Sequence, residues 1–151
     1  MKKTPLPIFR RHRDLPYTRI LLWFRGGSSL EEEQELGWAH LIEHLLFKPR
    51  YEGATIAEFI EAAGGSTNAF TSHDALVVEA TLRNEDVPRA LRFLAEVLST
   101  PLTSIDSHDF EEERAVVLEE LRLYEDEPNE RLFVEVMRNR YPGHPYGREI
   151  I

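Results

Sequence analysis

The segment that most restricts the fold is YTRILLWFR, residues 17–25, which is nearly continuous in apolar and aromatic residues. A run of this length is strand-sized, and the turn-forming stretch GGSS at residues 26–29 ends it. A strand that lacks alternating polar positions is typical of the centre of a sheet whose two faces are both covered. We therefore expect residues 17–25 to form a central strand that other parts of the chain cover.

The rest of the chain supplies further strands and a larger number of helices. Apolar patterning and turn residues predict the other strands at 5–11, 66–72 and 75–83, and helices at 37–47, 55–63, 86–98, 107–124 and 129–140. The resulting order is ββααββααα. This order indicates an α+β fold in which helices pack on a mainly antiparallel sheet, and we expect residues 1–151 to form a single domain.

Composition limits the partners and the metal ligands that the chain can have. The formal net charge of −9 argues against nucleic acid or anionic lipid as a partner, but is compatible with a basic peptide. Because the chain has no cysteine, any metal must be held by His, Asp or Glu. No apolar run approaches the roughly 20 residues of a membrane span, and no signal peptide is evident, so a cytoplasmic location is expected.

The pentapeptide HLIEH, residues 40–44, is the strongest candidate for a chemical site. On a helix, residues three and four apart share a face, so His40, Glu43 and His44 are expected to project together. Two imidazoles one turn apart can bind one zinc ion, and Glu43 can accept a proton from the water that zinc activates. The spacing H-x-x-E-H is the inverzincin signature. The alternative is a solvated helix face that happens to carry His and Glu.

A catalytic zinc ion normally has three protein ligands, so a third must come from elsewhere in the chain. The predicted helix 107–124 contains glutamates seven residues apart, which is two turns of one face. Glu113 and Glu120 form one such pair, and Glu112 and Glu119 form another. Spacing alone does not choose between them, and either pair is also compatible with a solvated helix face.

Several segments in order resemble the pitrilysin/insulinase family of zinc metallopeptidases, which includes insulin-degrading enzyme and mitochondrial processing peptidase. The stretch GGSSLEEEQELGWAHLIEHLLFK resembles the family's glycine-serine segment, acidic loop and G-x-A-H-x-x-E-H-x-x-F-K block. GGSTNAFTSHD resembles its G-G-x-x-N-A-x-T segment, ERAVVLEEL followed by DEP resembles the segment with the third ligand, and HPYG resembles a further block. The resemblance extends over nearly the whole chain.

The resemblance implies an inverzincin zinc metalloendopeptidase with one Zn²⁺ per chain. His40 and His44 would bind the metal, Glu120 would be the third ligand, and Glu43 would be the general base. Glu113 would match the acid that supports a ligand, and Glu119 is the nearest competitor of Glu120. The resemblance further implies a cleft where an extended peptide or unfolded protein pairs as an added strand, lined by Asn68, Ala69, Phe70 and Thr71.

The chain departs from the family in length, because family members usually contain two related halves that close on the substrate. We therefore expect an incomplete domain that resembles a truncated N-terminal half. An unpaired sheet edge favours association with a second copy or with a partner chain that supplies the missing half. The alternative to a peptidase module is a noncatalytic zinc- or peptide-binding subunit that needs a partner chain for activity.

Overall fold

The helices and strands follow one another as the sequence predicts. The computed structural model describes residues 15–150, and the strand predicted at residues 5–11 lies outside them. The strands within this range are β1 Tyr17–Arg25, β2 Ser66–Thr71 and β3 Ala75–Arg83. The α-helices are α1 Trp38–Leu45, α2 Ile56–Ala62, α3 Val87–Ser99, α4 Ser107–Asp126 and α5 Pro128–Arg140. The α+β class and the five predicted helices are confirmed.

The sheet is antiparallel and has the order β1-β3-β2. Ile20 pairs with Ala80, and Ala69 pairs with Val78. Among residues 15–150 the centre of the sheet is therefore β3, and β1 pairs only with β3. The expectation that both faces of β1 are covered is wrong, because Trp23 is 68% exposed on the face opposite Ile20. An apolar run predicts a strand, but whether other segments cover each of its faces depends on contacts between distant parts of the chain.

The main core lies between the sheet and the helices α2 and α3. Thr55 and Glu58 form a capping box that starts α2. In α3, buried residues recur at helical spacing and include Phe93, whose ring stacks on that of Phe59 with centroids 3.9 Å apart. The buried members of this core are Ile20, Ile56, Phe59, Ile60, Ala80, Leu82, Ala90, Phe93, Leu94 and Val97.

A smaller apolar cluster joins α1 to α4. Leu41 and Leu45 are buried on one side of α1, and they pack with Val117 of α4. The partly buried Phe110 and Ile105 extend this cluster. Because Leu41 and Leu45 lie next to His40 and His44 in the sequence, the cluster fixes the α4 helix beside the HLIEH helix.

Helices α4 and α5 bury few side chains. Of the apolar residues that predict α4, Val117 is buried, whereas Val116 and Tyr124 are exposed. In α5, Leu132, Phe133 and other apolar residues are also exposed. Although α4 is long, no helix formed by the described residues is long and apolar enough to cross a membrane.

Candidate metal centre

The helix α1 presents His40, Glu43 and His44 toward one cleft, as the helical spacing predicts. The helix begins after Gly37, whose φ of 88° is left-handed and suits glycine. His40 is buried, and His44 is partly buried. This small helix therefore holds two imidazoles and a carboxylate within one and a half turns.

The two histidines meet a carboxylate of α4 in a nearly equilateral triangle. His40 Nε2 lies 3.3 Å from His44 Nε2 and 3.5 Å from Glu120 Oε2. The remaining side, from His44 Nε2 to Glu120 Oε2, is 3.6 Å. A tetrahedral zinc ion with bonds of about 2.0–2.1 Å separates its ligand atoms by about 3.3–3.4 Å. The residues present thus fit a zinc ion, and two imidazoles with one glutamate leave a coordination position open.

The orientation of His44 is set by a chain of polar contacts on the side away from the triangle. Its Nδ1 atom lies 2.9 Å from Oε2 of Glu113, and Oε1 of Glu113 lies 2.7 Å from Nζ of Lys48. A proton on Nδ1 of His44 donates to Glu113 and leaves the Nε2 lone pair facing the triangle. This arrangement is the one that a metal-binding imidazole requires.

The charges of Glu113 and Lys48 stabilise each other. Partial burial acts to raise the pKa of Glu113, but hydrogen bonds from Lys48 and His44 and the charge of Lys48 outweigh burial and lower this pKa overall. The hydrogen bond to Glu113 raises the pKa of Lys48. Glu113 is therefore held as a carboxylate at neutral pH, and it can accept the His44 proton.

His40 lies in a different environment from His44. Burial lowers the pKa of His40, and the carboxylates of Glu43 and Glu120 only partly offset that effect. No hydrogen-bond partner for its buried Nδ1 atom is found among residues 15–150. A neutral imidazole with its Nε2 lone pair in the triangle is the form that binds a metal ion.

The structure distinguishes the two glutamate pairs that spacing left open. Glu113 and Glu120 both face the histidines of α1. Glu119 instead pairs with Arg122 on the exposed surface, and its side chain is 67% exposed. Glu112 approaches His108, also at the surface, with Nδ1 and Oε1 3.6 Å apart. The packing of Val117 against α1 turns the first pair toward the histidines.

The cleft in front of the triangle runs between β2 and the helices α4 and α5, and its volume is about 870 Å³. Asn68, Ala69, Phe70 and Thr71 of β2 all line this cleft, together with Glu43. The Thr71 hydroxyl donates a hydrogen bond of 2.6 Å to Oε2 of Glu43. The residues predicted to contact peptide therefore lie beside those predicted to hold the metal.

The remaining histidines do not join the triangle. His73 lines the cleft, but its Nε2 atom lies 3.3 Å from the backbone oxygen of Arg148. His144 accepts a hydrogen bond from the backbone N–H of Tyr146 in a turn. His108 is exposed, and His12 lies outside the described residues.

Two residues that shape the site, Lys48 and Glu31, lie within the stretch GGSSLEEEQELGWAHLIEHLLFK but were not predicted as site residues. Lys48 supports Glu113, and the buried Glu31 accepts hydrogen bonds from the start of α1. For Glu31, the signal in the sequence is an acidic stretch, LEEEQE, directly before a predicted helix. The stretch contains three other glutamates, so this signal does not identify the buried one.

Comparison with known proteins places these features in a family. The model of the family described as Insulinase (Peptidase family M16) matches residues 12–151. An uncharacterized zinc protease of Mycobacterium tuberculosis is 36% identical over 132 residues, which are 86% of this chain and 30% of that protein. The mitochondrial-processing peptidase subunit beta of Homo sapiens is 31% identical over 132 residues, 86% of this chain and 27% of that subunit.

Solved structures share the fold. A protease from Helicobacter pylori has a TM-score of 0.78 and 26% identity, over 87% of this chain and 32% of that one. Pitrilysin has a TM-score of 0.75 and 24% identity, over 90% of this chain and 15% of that one. The chain thus spans about a third or less of the length of these relatives.

Proposed function

This chain belongs to the insulinase family of peptidases, peptidase family M16, and from that premise we propose that it is a zinc-dependent endopeptidase module. The observation that carries the proposal is the triangle of His40 Nε2, His44 Nε2 and Glu120 Oε2, with sides of 3.3, 3.5 and 3.6 Å. Relatives named as zinc proteases support the choice of metal. One Zn²⁺ per chain is expected.

In this proposal His40, His44 and Glu120 hold the metal, and the Glu113 carboxylate orients His44. When bound, zinc supplies Lewis acidity toward water and the peptide carbonyl. Burial favours the neutral imidazole of His40. For His44, the contact of Nδ1 with the Glu113 carboxylate selects the tautomer that offers Nε2 to the metal.

Glu43 is proposed as the general base. Its carboxylate stands on the same face of α1 as both histidines and opens into the same cleft. The Thr71 hydroxyl donates to Oε2 of Glu43, which directs this oxygen toward β2 and leaves Oε1 to accept a proton. The carboxylate then returns that proton to the leaving amine of the cleaved peptide bond.

The substrate is proposed to be an extended peptide or an unfolded protein segment. Among residues 15–150, β2 pairs with β3 on one side only, so its other edge can pair with an added strand. Asn68 and Ala69 line both this cleft and an adjoining depression beside Lys48 and Arg50. A groove that continues along β2 on both sides of Glu43 suits a chain rather than a small compact ligand.

A second candidate is a noncatalytic subunit that binds zinc or peptide and needs a partner chain for activity. The length of the relatives supports this candidate. The matched region is only 30% of the mycobacterial protease and 27% of the human subunit. A second copy of this chain, or a chain carrying the remaining region, would then complete the cleft. Sedimentation at micromolar concentration tests such association, which a stable monomer would contradict.

The decisive experiment combines metal analysis with cleavage of an unstructured peptide. We expect about one zinc per chain and cleavage that a chelator abolishes. Glu43→Gln should retain zinc but lose cleavage, because the base is removed while the ligands stay. Bound zinc without any cleavage by the wild-type chain would support the subunit instead.

Matched variants on α4 test the ligand set. Glu120→Gln should lower zinc content strongly, whereas Glu119→Gln changes a neighbouring exposed glutamate that pairs with Arg122 and should leave zinc content unchanged. Equal zinc content in both variants would contradict Glu120 as a ligand. Absence of zinc from carefully prepared wild-type protein, with zinc content and cleavage unchanged in His40→Ala, would contradict both the peptidase and a zinc-binding subunit.

A further inference from the structure

We propose that Glu31 is a positioning residue that fixes the helix α1, and with it the side chains of HLIEH. Its side chain is buried, at 8% exposure, in a stretch whose next four residues are exposed. Oε2 of Glu31 accepts a hydrogen bond of 3.1 Å from the Gly37 backbone N–H, and Oε1 accepts one of 2.6 Å from Ala39. The inference rests on the proposed function only because α1 carries the proposed zinc ligands.

The helix α1 needs such an external cap. The first N–H groups of a helix have no partner within it, and a side chain at the N-cap normally accepts one of them. Here the N-cap is Gly37, which has no side chain, and α1 has only eight residues. Helices this short are marginal without tertiary support. A carboxylate at the N-terminus also interacts favourably with the helix dipole.

Glu31 can act as a fixed cap because the loop that carries it is anchored to the turn between β2 and β3. In the loop 27–31, Ser28 N–H donates to Ser72 O at 3.2 Å, and Ser29 N–H donates to His73 O at 2.9 Å. Arg148 donates to the backbone oxygen of Glu31 at 2.7 Å. The contact leaves no room for a side chain at Gly27, where a Cβ would lie 2.0 Å from Ser72 O.

These contacts attach α1 to the same end of β2 at two points. The residues 72–73 that hold the loop follow directly after Thr71, which donates to Glu43. Glu31 therefore holds the N-terminus of α1 beside residues 72–73. Thr71 holds the following helical turn through its hydrogen bond to Glu43. His40 is the third residue of α1, so its Nε2 position depends on the end that Glu31 caps.

The test compares Glu31→Gln with Glu33→Gln, an equal change of charge at an exposed position of the same stretch. Glutamine keeps one acceptor and turns an N–H₂ group toward a backbone N–H. The first readout is zinc affinity by competition with a chromophoric chelator. We expect Glu31→Gln to raise the Kd for zinc about tenfold, as loss of an outer support typically does, and Glu33→Gln to leave it unchanged. Glu31→Asp keeps the carboxylate on a shorter side chain, so its Kd for zinc should lie between those of Glu31→Gln and Glu33→Gln.

The second readout is amide hydrogen exchange of the metal-free proteins, which does not depend on zinc or on cleavage. In Glu31→Gln the amides of residues 37–41 should exchange about tenfold faster, while amides of β3 keep the wild-type rate. Equal exchange at residues 37–41 in Glu31→Gln and wild type, or a uniform increase across the chain, would overturn the inference. If the wild type binds no zinc but residues 37–41 respond to Glu31→Gln, the proposed zinc function fails and Glu31 remains the cap.

Discussion

The Nδ1 atom of His44 lies 2.9 Å from Oε2 of Glu113, and this contact joins residues 69 positions apart in the chain. The other oxygen of Glu113 lies 2.7 Å from Nζ of Lys48, which belongs to the same segment as His44. The imidazole is therefore oriented by a carboxylate that is itself held by a cation. This relay links α4 to the segment that begins with HLIEH.

Removal of the Glu113 charge should weaken metal binding. In Glu113→Gln the amide can no longer hold the His44 proton and the Lys48 ammonium together. We expect zinc affinity to fall by about 10- to 100-fold, measured by chelator competition. Glu112→Gln is the control, because Glu112 lies near His108 at the surface. Equal affinities in the two variants would show that Glu113 does not support the site.

The contacts of Glu113 with Lys48 and His44 predict that the stability of the metal-free protein depends on pH. Because the pKa of Glu113 is lowered from 4.5 in the folded protein, the unfolded chain binds more protons between the two pKa values. The stabilisation is fully present above about pH 4.5 and is lost as pH falls through the lower, folded pKa. In urea unfolding between pH 7 and pH 3, the free energy of unfolding should fall less on acidification for Glu113→Gln than for wild type. Parallel curves for the two proteins would contradict this expectation.

The hydroxyl of Thr71 should affect turnover more than metal binding. Thr71→Val removes the hydrogen bond to Glu43 without a large change in side-chain volume. We expect kcat for peptide cleavage to fall about tenfold, as a hydrogen bond to a charged group is worth about 1.5–3 kcal/mol, while zinc content is retained. Thr67→Val is the matched control on β2, since Thr67 donates to the backbone oxygen of Glu79. A similar loss in both variants would point to a general effect on the strand.

The aromatic pair of the main core should dominate local stability. Phe93 is 3% exposed and stacks on Phe59. Phe93→Ala should lower the free energy of unfolding by about 3–5 kcal/mol, because it removes buried area and leaves a cavity. Leu91→Ala on the same helix changes a residue that is 44% exposed and should cost much less. Chemical denaturation of the two variants measures the difference.

Local patterns in the sequence predicted most of the secondary structure. The capping box at Thr55 and Glu58, the alternating and apolar runs, and the breaks at glycine and proline act within a few residues of one another. Such signals need no knowledge of distant segments. Local patterns did not predict how far β1 is covered. An apolar strand can form its backbone hydrogen bonds at any position in a sheet, and the segments that cover its faces are distant in the sequence.

The same division applies to the candidate site. Helical periodicity by itself determined that His40, Glu43 and His44 share a face, since side chains three and four residues apart on a helix are neighbours. Only the tertiary structure decided that Glu120 rather than Glu119 faces them, because the packing of Val117 against Leu41 and Leu45 sets the rotation of α4. It likewise selected Glu31 from a row of glutamates and brought Lys48 to Glu113. These contacts cross helices and loops, so no local pattern encodes them, and the burial that fixes them exists only in the folded chain.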